Sequence, residues 1–305
     1  MSFSTDLKTE QRSHMPKSIH CRLALLAGFV SINGRLEEVD GKTALAIRVD
    51  SDDTEEYIAK LVSMCSGIPR DHLIAQNEKN HHRKLLVVDT EEKDRIFAKL
   101  KLRADDTRVK VAKVITEREC CKRSYLKGAF MAGGSVGSPE KAYQMEIASL
   151  SEDEAERLSD ILSLRELKSS IVTHRDRYIV YIKDGDTISE VLGLMGASCS
   201  LMEFENIRIL KGIRNDVNRE VNCDAANMAK IAKSSKKQLE DIEYIRDTAG
   251  LDSLPEALEE MARVRLEYPY YSLKELGYEF NPPLGKSGVS HRLRRLSEVA
   301  DKLRG

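Results

Sequence analysis

Leu26-Ala27-Gly28-Phe29-Val30-Ser31-Ile32-Asn33-Gly34 is a run of apolar and small side chains closed by a glycine. A related run, Leu126-Lys127-Gly128-Ala129-Phe130-Met131-Ala132-Gly133-Gly134, follows later in the chain. Each lies in a helical pattern that stops at glycine, and self-similarity of this kind marks a duplicated unit. The small residues have a physical use. Ala24 with Gly28, and Ser124 and Gly128 with Ala132, recur at i, i+4 and so share one helix face, where small side chains let two helix backbones touch.

The segments that follow repeat in the same order. Arg35 to Val49 reads as two strands around an Asp40-Gly41 turn, and Ser135 to Leu150 as two strands around Ser138-Pro139. In the second, Tyr143, Met145 and Ile147 alternate with polar or small residues, as in a half-buried strand. Amphipathic helices are expected at Asp52 to Met64 and at Ser151 to Leu164, the latter opened by a Ser151–Glu154 capping box. Strands follow at Leu85 to Asp89 and Tyr178 to Lys183, then helices at Glu91 to Leu102 and Ile188 to Met195, with a further strand in Arg108 to Ile115.

In length, opening Leu-Ala-Gly and closing Gly, residues 26–34 resemble the LAGLIDADG motif of homing endonucleases. That family carries an acidic residue near each helix end to bind the divalent metals that activate water for DNA cleavage. Here those positions are Asn33 and Gly133, and the family's other acidic position holds Ser31 and Met131. An amide is a weak ligand and glycine offers none, so the resemblance implies the fold without catalytic residues. The expected metal content is none, and the expected cofactor content is none.

Composition sets outer limits. The 305 residues are 41% hydrophobic and 32% charged with a formal net charge of −1, enough for two globular domains, so affinity for nucleic acid must come from local clustering. Six cysteines (Cys21, Cys65, Cys120, Cys121, Cys199 and Cys223) show no CxxC pair and no disulfide or zinc spacing, and read as buried small apolar residues. Met1 to Pro16 is polar, and no window approaches the roughly 18 apolar residues of a membrane span. The expected location is the cytoplasm, without membrane contact.

Past Glu203 the β signal fades. Phe204 to Gly250 reads as a linker ending in a long helix, with eight basic residues from Arg208 to Lys237 against three acidic ones. Ser253-Leu254-Pro255-Glu256 then opens a helix from about Pro255 to Tyr268, and Ser272-Leu273-Lys274-Glu275 forms a second capping box, ended by Asn281-Pro282-Pro283. Ser287 caps a third helix with a buried stripe of Val289, Leu293, Leu296, Ala300 and Leu303. Short helix, turn and basic helix is the helix-turn-helix order. From Lys286 to Gly305 there are six basic residues against two acidic. Ser287, Ser290, His291 and Arg294 are the candidates for base edges, and Lys286, Arg292 and Arg295 for phosphates.

The full chain resembles the WhiA family of sporulation and cell-division regulators. The resemblance is carried by Lys122 to Gly134, by Arg214-Asn215-Asp216-Val217-Asn218-Arg219 with Asn222-Cys223-Asp224-Ala225-Ala226-Asn227, and by Gly250 to Leu296. It implies an α+β fold: a duplicated LAGLIDADG-like α-β-β-α-β-α domain over 1–203 (repeats at about 19–115 and 116–203), a linker and long helix over 204–250, and an all-α helix-turn-helix domain over 251–305. The implied function is sequence-specific, nucleoid-associated binding of double-stranded DNA in transcription regulation, with no enzyme activity. The alternative is a scaffold contacting the transcription machinery, RNA polymerase or another transcription factor.

Overall fold

The computed structural model describes residues 2–77 and 83–305. They form two compact units, Met1–Lys211 and Gly212–Gly305.

The first unit begins with α1 (Phe3–Ser13) and α2 (Ile19–Asn33), followed by β1 (Gly34–Val39), β2 (Lys42–Val49), α3 (Asp52–Ser66), β3 (Ile74–Asn77), β4 (Arg83–Val87), α4 (Thr90–Leu100), β5 (Leu102–Asp105) and β6 (Arg108–Val111). The second repeat runs through α5 (Glu119–Gly133), β7 (Gly134–Val136), β8 (Met145–Ser149), α6 (Glu152–Ser163), β9 (Ser170–His174), β10 (Arg177–Ile182) and α7 (Gly185–Leu194). The strands make a six-stranded sheet, β3-β4-β2-β1-β6-β5, and a four-stranded sheet, β7-β8-β10-β9. Leu45, Ile47 and Val49 of β2 recur with period two and are buried, as are Met145 and Ile147 of β8, so each sheet presents an apolar face to one core.

At the centre of that core α2 packs against α5. A Cβ on Gly28 would lie 2.2 Å from the Tyr125 carbonyl oxygen, and one on Gly128 would lie 2.0 Å from that of Leu25. Both distances are far inside contact with rigid backbone. The duplicated glycines are therefore what permits the central helix pair, as their spacing implied.

Several local expectations are corrected. The edge strands β3 and β9 went unread because every residue in them is exposed, which leaves no apolar alternation to detect. Ser138-Pro139 lies in a wide connection between β7 and β8 rather than a tight turn. Ser151 is the N-cap of α6 without a side-chain bond, and the carboxyl of Glu154, the other half of the expected box, is buried and accepts from the Tyr125 hydroxyl instead. Helix α1, inside the polar N-terminal stretch, buries Leu7 and Gln11. Of the six cysteines only Cys21, Cys65 and Cys121 are buried; Cys120, Cys199 and Cys223 are exposed.

Helix α8 (Ser198–Thr248) is continuous over 51 residues, so the chain is helical where a linker was expected. Its later turns join α9 (Glu256–Glu267), α10 (Leu273–Tyr278) and α11 (Lys286–Arg304) in the second unit. Ile242 and Ile245 of α8 share a core with Met261, Leu276, Val289, Leu293, Leu296 and Ala300. The Ser272–Glu275 capping box forms in full. The one expected at Ser253 does not, since the Ser253 hydroxyl donates to the Gly250 carbonyl and Pro255 is the N-cap. Gly285, not Ser287, is the N-cap of α11, and Leu303 in the final turn is exposed rather than part of the buried stripe.

Candidate nucleic-acid interface

Asn33 ends α2 and Gly133 ends α5, and both line one small cavity of about 120 Å³. The Asn33 amide donates from Nδ2 to the Arg48 and Ala132 carbonyls, each at 3.2 Å. At Gly133 a Cβ would meet the Ala148 carbonyl oxygen at 2.5 Å, so no acidic side chain fits. The charged residues lining the cavity are Arg35, Arg48 and Arg177. Burial, then the fields of Arg108, Arg48 and Arg177, hold the Arg35 guanidinium below its ordinary pKa. A divalent cation needs anionic oxygen ligands. This lining supplies three cations and no carboxylate, so it does not fit the metals of a LAGLIDADG nuclease and suits an anion.

Sequence reasoning missed these arginines as a group. Arg35 follows the motif glycine directly and Arg48 sits on its partner strand, whereas Arg177 comes from the other repeat. Only the packing of α2 on α5 brings them together.

In the second unit, α11 buries Val289, Leu293, Leu296 and Ala300 and turns its other side to solvent. Lys286, Ser287, Ser290, His291, Arg294 and Arg295 are all exposed, His291 and Arg295 on that side and Lys286 at the helix start. Arg292 is not free in the same way. Its guanidinium lies 3.6 Å from the Glu260 carboxylate and 3.4 Å from the Ala257 carbonyl, with its centre 5.5 Å from the Phe280 ring centroid, and so it fastens α11 to α9. Arg294 reaches Glu298 one turn on at 3.6 Å, an exposed pair of little energetic weight that leaves the side chain able to turn outward.

The start of α11 has no side-chain cap, so its first N–H groups face outward with the positive end of the helix dipole, an arrangement that favours phosphate. Lys233 and Lys237 of α8 line a groove of about 470 Å³ together with Ser290, Arg294 and Ser297. Two of the basic residues noted along 208–237 therefore stand beside Arg294. The buried carboxylate of Asp241 fixes this arrangement by accepting from the Ser297 hydroxyl at 2.6 Å and from Arg304 at 2.7 Å. No helix among the described residues is long and apolar enough to cross a membrane.

A duplicated LAGLIDADG-like unit followed by a helix-turn-helix unit with an outward basic helix defines a compound class: regulators built on a nuclease-like frame. The WhiA LAGLIDADG-like domain model matches residues 122–214, and the WhiA C-terminal HTH domain model matches residues 217–300. The chain is 40% identical to a probable cell division protein WhiA of Lachnoclostridium phytofermentans over the whole of both chains. It is also 40% identical to one of Alkaliphilus oremlandii, covering 99% of this chain and 98% of that one. The crystal structure of full-length DUF199/WhiA from Thermatoga maritima superposes over 99% of each chain, with a TM-score of 0.59 at 25% identity. The chain belongs to the WhiA family.

Proposed function

We propose that this protein is a sequence-specific, non-cleaving regulator that binds double-stranded DNA in the cytoplasm, in the service of cell division and sporulation. The observation that carries this reading is the exposed set Lys286, Ser287, Ser290, His291 and Arg294 on the first turns of α11, clear of its buried stripe. The N-terminal half of a recognition helix is the part that meets base edges in the major groove. Relatives named probable cell division protein WhiA support the biological setting. The absence of cleavage is supported by Asn33, Gly133 and the three arginines around them.

Ser287, Ser290, His291 and Arg294 are the base-edge group in this reading. Lys286 and Arg295 contact phosphates, with Lys233 and Lys237 alongside. Arg292, proposed on sequence grounds for a phosphate, is better explained by its hold on Glu260 and Ala257.

Arg294→Ala is expected to cost about 1–3 kcal/mol of discrimination between the preferred duplex and a random one, while Arg295→Ala lowers affinity for both alike. Titration of each variant against both duplexes checks this, and unchanged binding in both variants removes α11 from the interface. Incubation of bound duplex with magnesium or manganese is expected to leave it intact. Cleavage that depends on this protein overturns the non-cleaving reading.

A further inference from the structure

His20 and Cys21 are the second and third residues of α2, and Cys120 and Cys121 are the second and third residues of α5. The helix pairing that joins Gly28 to Gly128 also brings these two dipeptides together. His20 Nδ1 lies 3.3 Å from Cys21 Sγ, 3.3 Å from Cys121 Sγ and 3.9 Å from Cys120 Sγ. All four atoms lie within 4.8 Å of one another.

Hydrogen bonding does not account for this convergence, because one imidazole nitrogen holds either one proton or one in-plane lone pair and can satisfy one sulfur, not three. A tetrahedral zinc ion does account for it. Zn–N of about 2.0 Å and Zn–S of about 2.3 Å at the tetrahedral angle give N···S edges of about 3.5 Å and S···S edges of about 3.8 Å. The three N···S distances fall on either side of that edge. Cys120, the furthest sulfur, is exposed and can rotate inward.

We propose that His20, Cys21, Cys120 and Cys121 form a structural zinc site that clamps the first turns of the two central helices. Charge favours it. Three thiolates, a neutral imidazole and Zn²⁺ sum to one negative charge at the positive ends of two helices, neither of which has a side-chain cap. Binding releases the three thiol protons to solvent and changes no oxidation state. The spacing of the cysteines conceals the site because its halves come from different repeats, with no CxxC in either.

The test uses the full chain purified with reductant and without chelator. Elemental analysis should give about one zinc per chain, and cobalt added to the metal-stripped protein should give the visible bands and thiolate charge-transfer absorption of a tetrahedral sulfur site. His20→Ala and Cys120→Ser, at less buried positions and so compatible with folding, should each weaken zinc binding at least tenfold and lose or alter the cobalt spectrum. Cys65→Ser and Cys199→Ser should retain both. Reduced protein with free thiols that takes up no zinc or cobalt overturns the proposal, as does a cobalt spectrum unchanged by His20→Ala and Cys120→Ser. A Cys21–Cys121 disulfide in the freshly purified protein also overturns it.

Discussion

Glu154 occupies the N3 position of α6, where a capping role was expected, yet its carboxyl is turned inward and lies 2.8 and 2.9 Å from the Tyr125 hydroxyl. Burial raises its pKa to about 7, against the opposing pull of Arg157. A carboxyl whose folded pKa is raised contributes stability that is fully present below its unfolded pKa, about 4.5, and lost as pH rises through about 7. The loss amounts to something on the order of 3 kcal/mol. Glu154→Gln keeps the shape and removes the titration, so it should flatten the fall in stability between pH 5 and pH 8 and be the more stable protein at the upper end. Denaturant melts of both proteins at the two pH values check this; parallel curves would place the titration elsewhere. The same residue shows why side-chain roles escape the sequence. Ser151-x-x-Glu154 satisfies the capping pattern, and only the partner helix reveals that Tyr125 competes for the carboxylate and wins.

At the scale of elements, the α2–α5 pair is the most demanding packing in the first unit. An alanine at Gly28 or Gly128 places a methyl group about 2 Å from a carbonyl oxygen of the opposite helix. Overpacking against a backbone that cannot turn aside costs at least the upper end of about 1–3 kcal/mol. Gly28→Ala should therefore lower the melting temperature of the full chain, whereas Gly212→Ala, with nothing within 4 Å, should leave it unchanged or raised. Equal melting behaviour would mean that the helices separate at little cost. This element pair was legible because contact between helices imposes a residue type at a spacing. The buried strands β2, β4, β8 and β10 were legible for the same reason, since one face of each must be apolar. Edge strands β3 and β9 bury neither face and left no such record. Nor did α1, whose Glu10 carboxylate accepts from the Cys199 and Ser200 amides at 2.8 Å and so caps α8 from 189 residues away. The α11 face was readable from its period, while the arginine-lined cavity required two repeats to meet.

At the scale of the whole molecule, sequence reading placed a boundary near Gly250, whereas the second unit starts at Gly212 and draws Ile242 and Ile245 of α8 into its core. Both isoleucines are fully buried, and Asp241 beside them holds Ser297 and Arg304. A fragment of residues 251–305 loses those contacts and should be unfolded or only weakly helical. The fragment 212–305 should fold and bind DNA by itself. Its affinity should nevertheless be lower and less salt-dependent than that of the full chain, if the basic cavity of Arg35, Arg48 and Arg177 or the strands around it also meet phosphate. Affinity falls with the logarithm of salt concentration at a slope of about −0.9 per neutralised phosphate, so the slope counts phosphate contacts wherever they lie on the protein. Titrations of both proteins on one duplex at several salt concentrations give the two slopes, and two or three further contacts in the first unit would steepen the full-chain slope by about 2–3. Arg35→Ala with Arg177→Ala in the full chain should return part of that difference. Equal slopes and affinities for fragment and full chain would mean that the first unit stays off the DNA, and its LAGLIDADG-like frame would then be a platform for a protein partner.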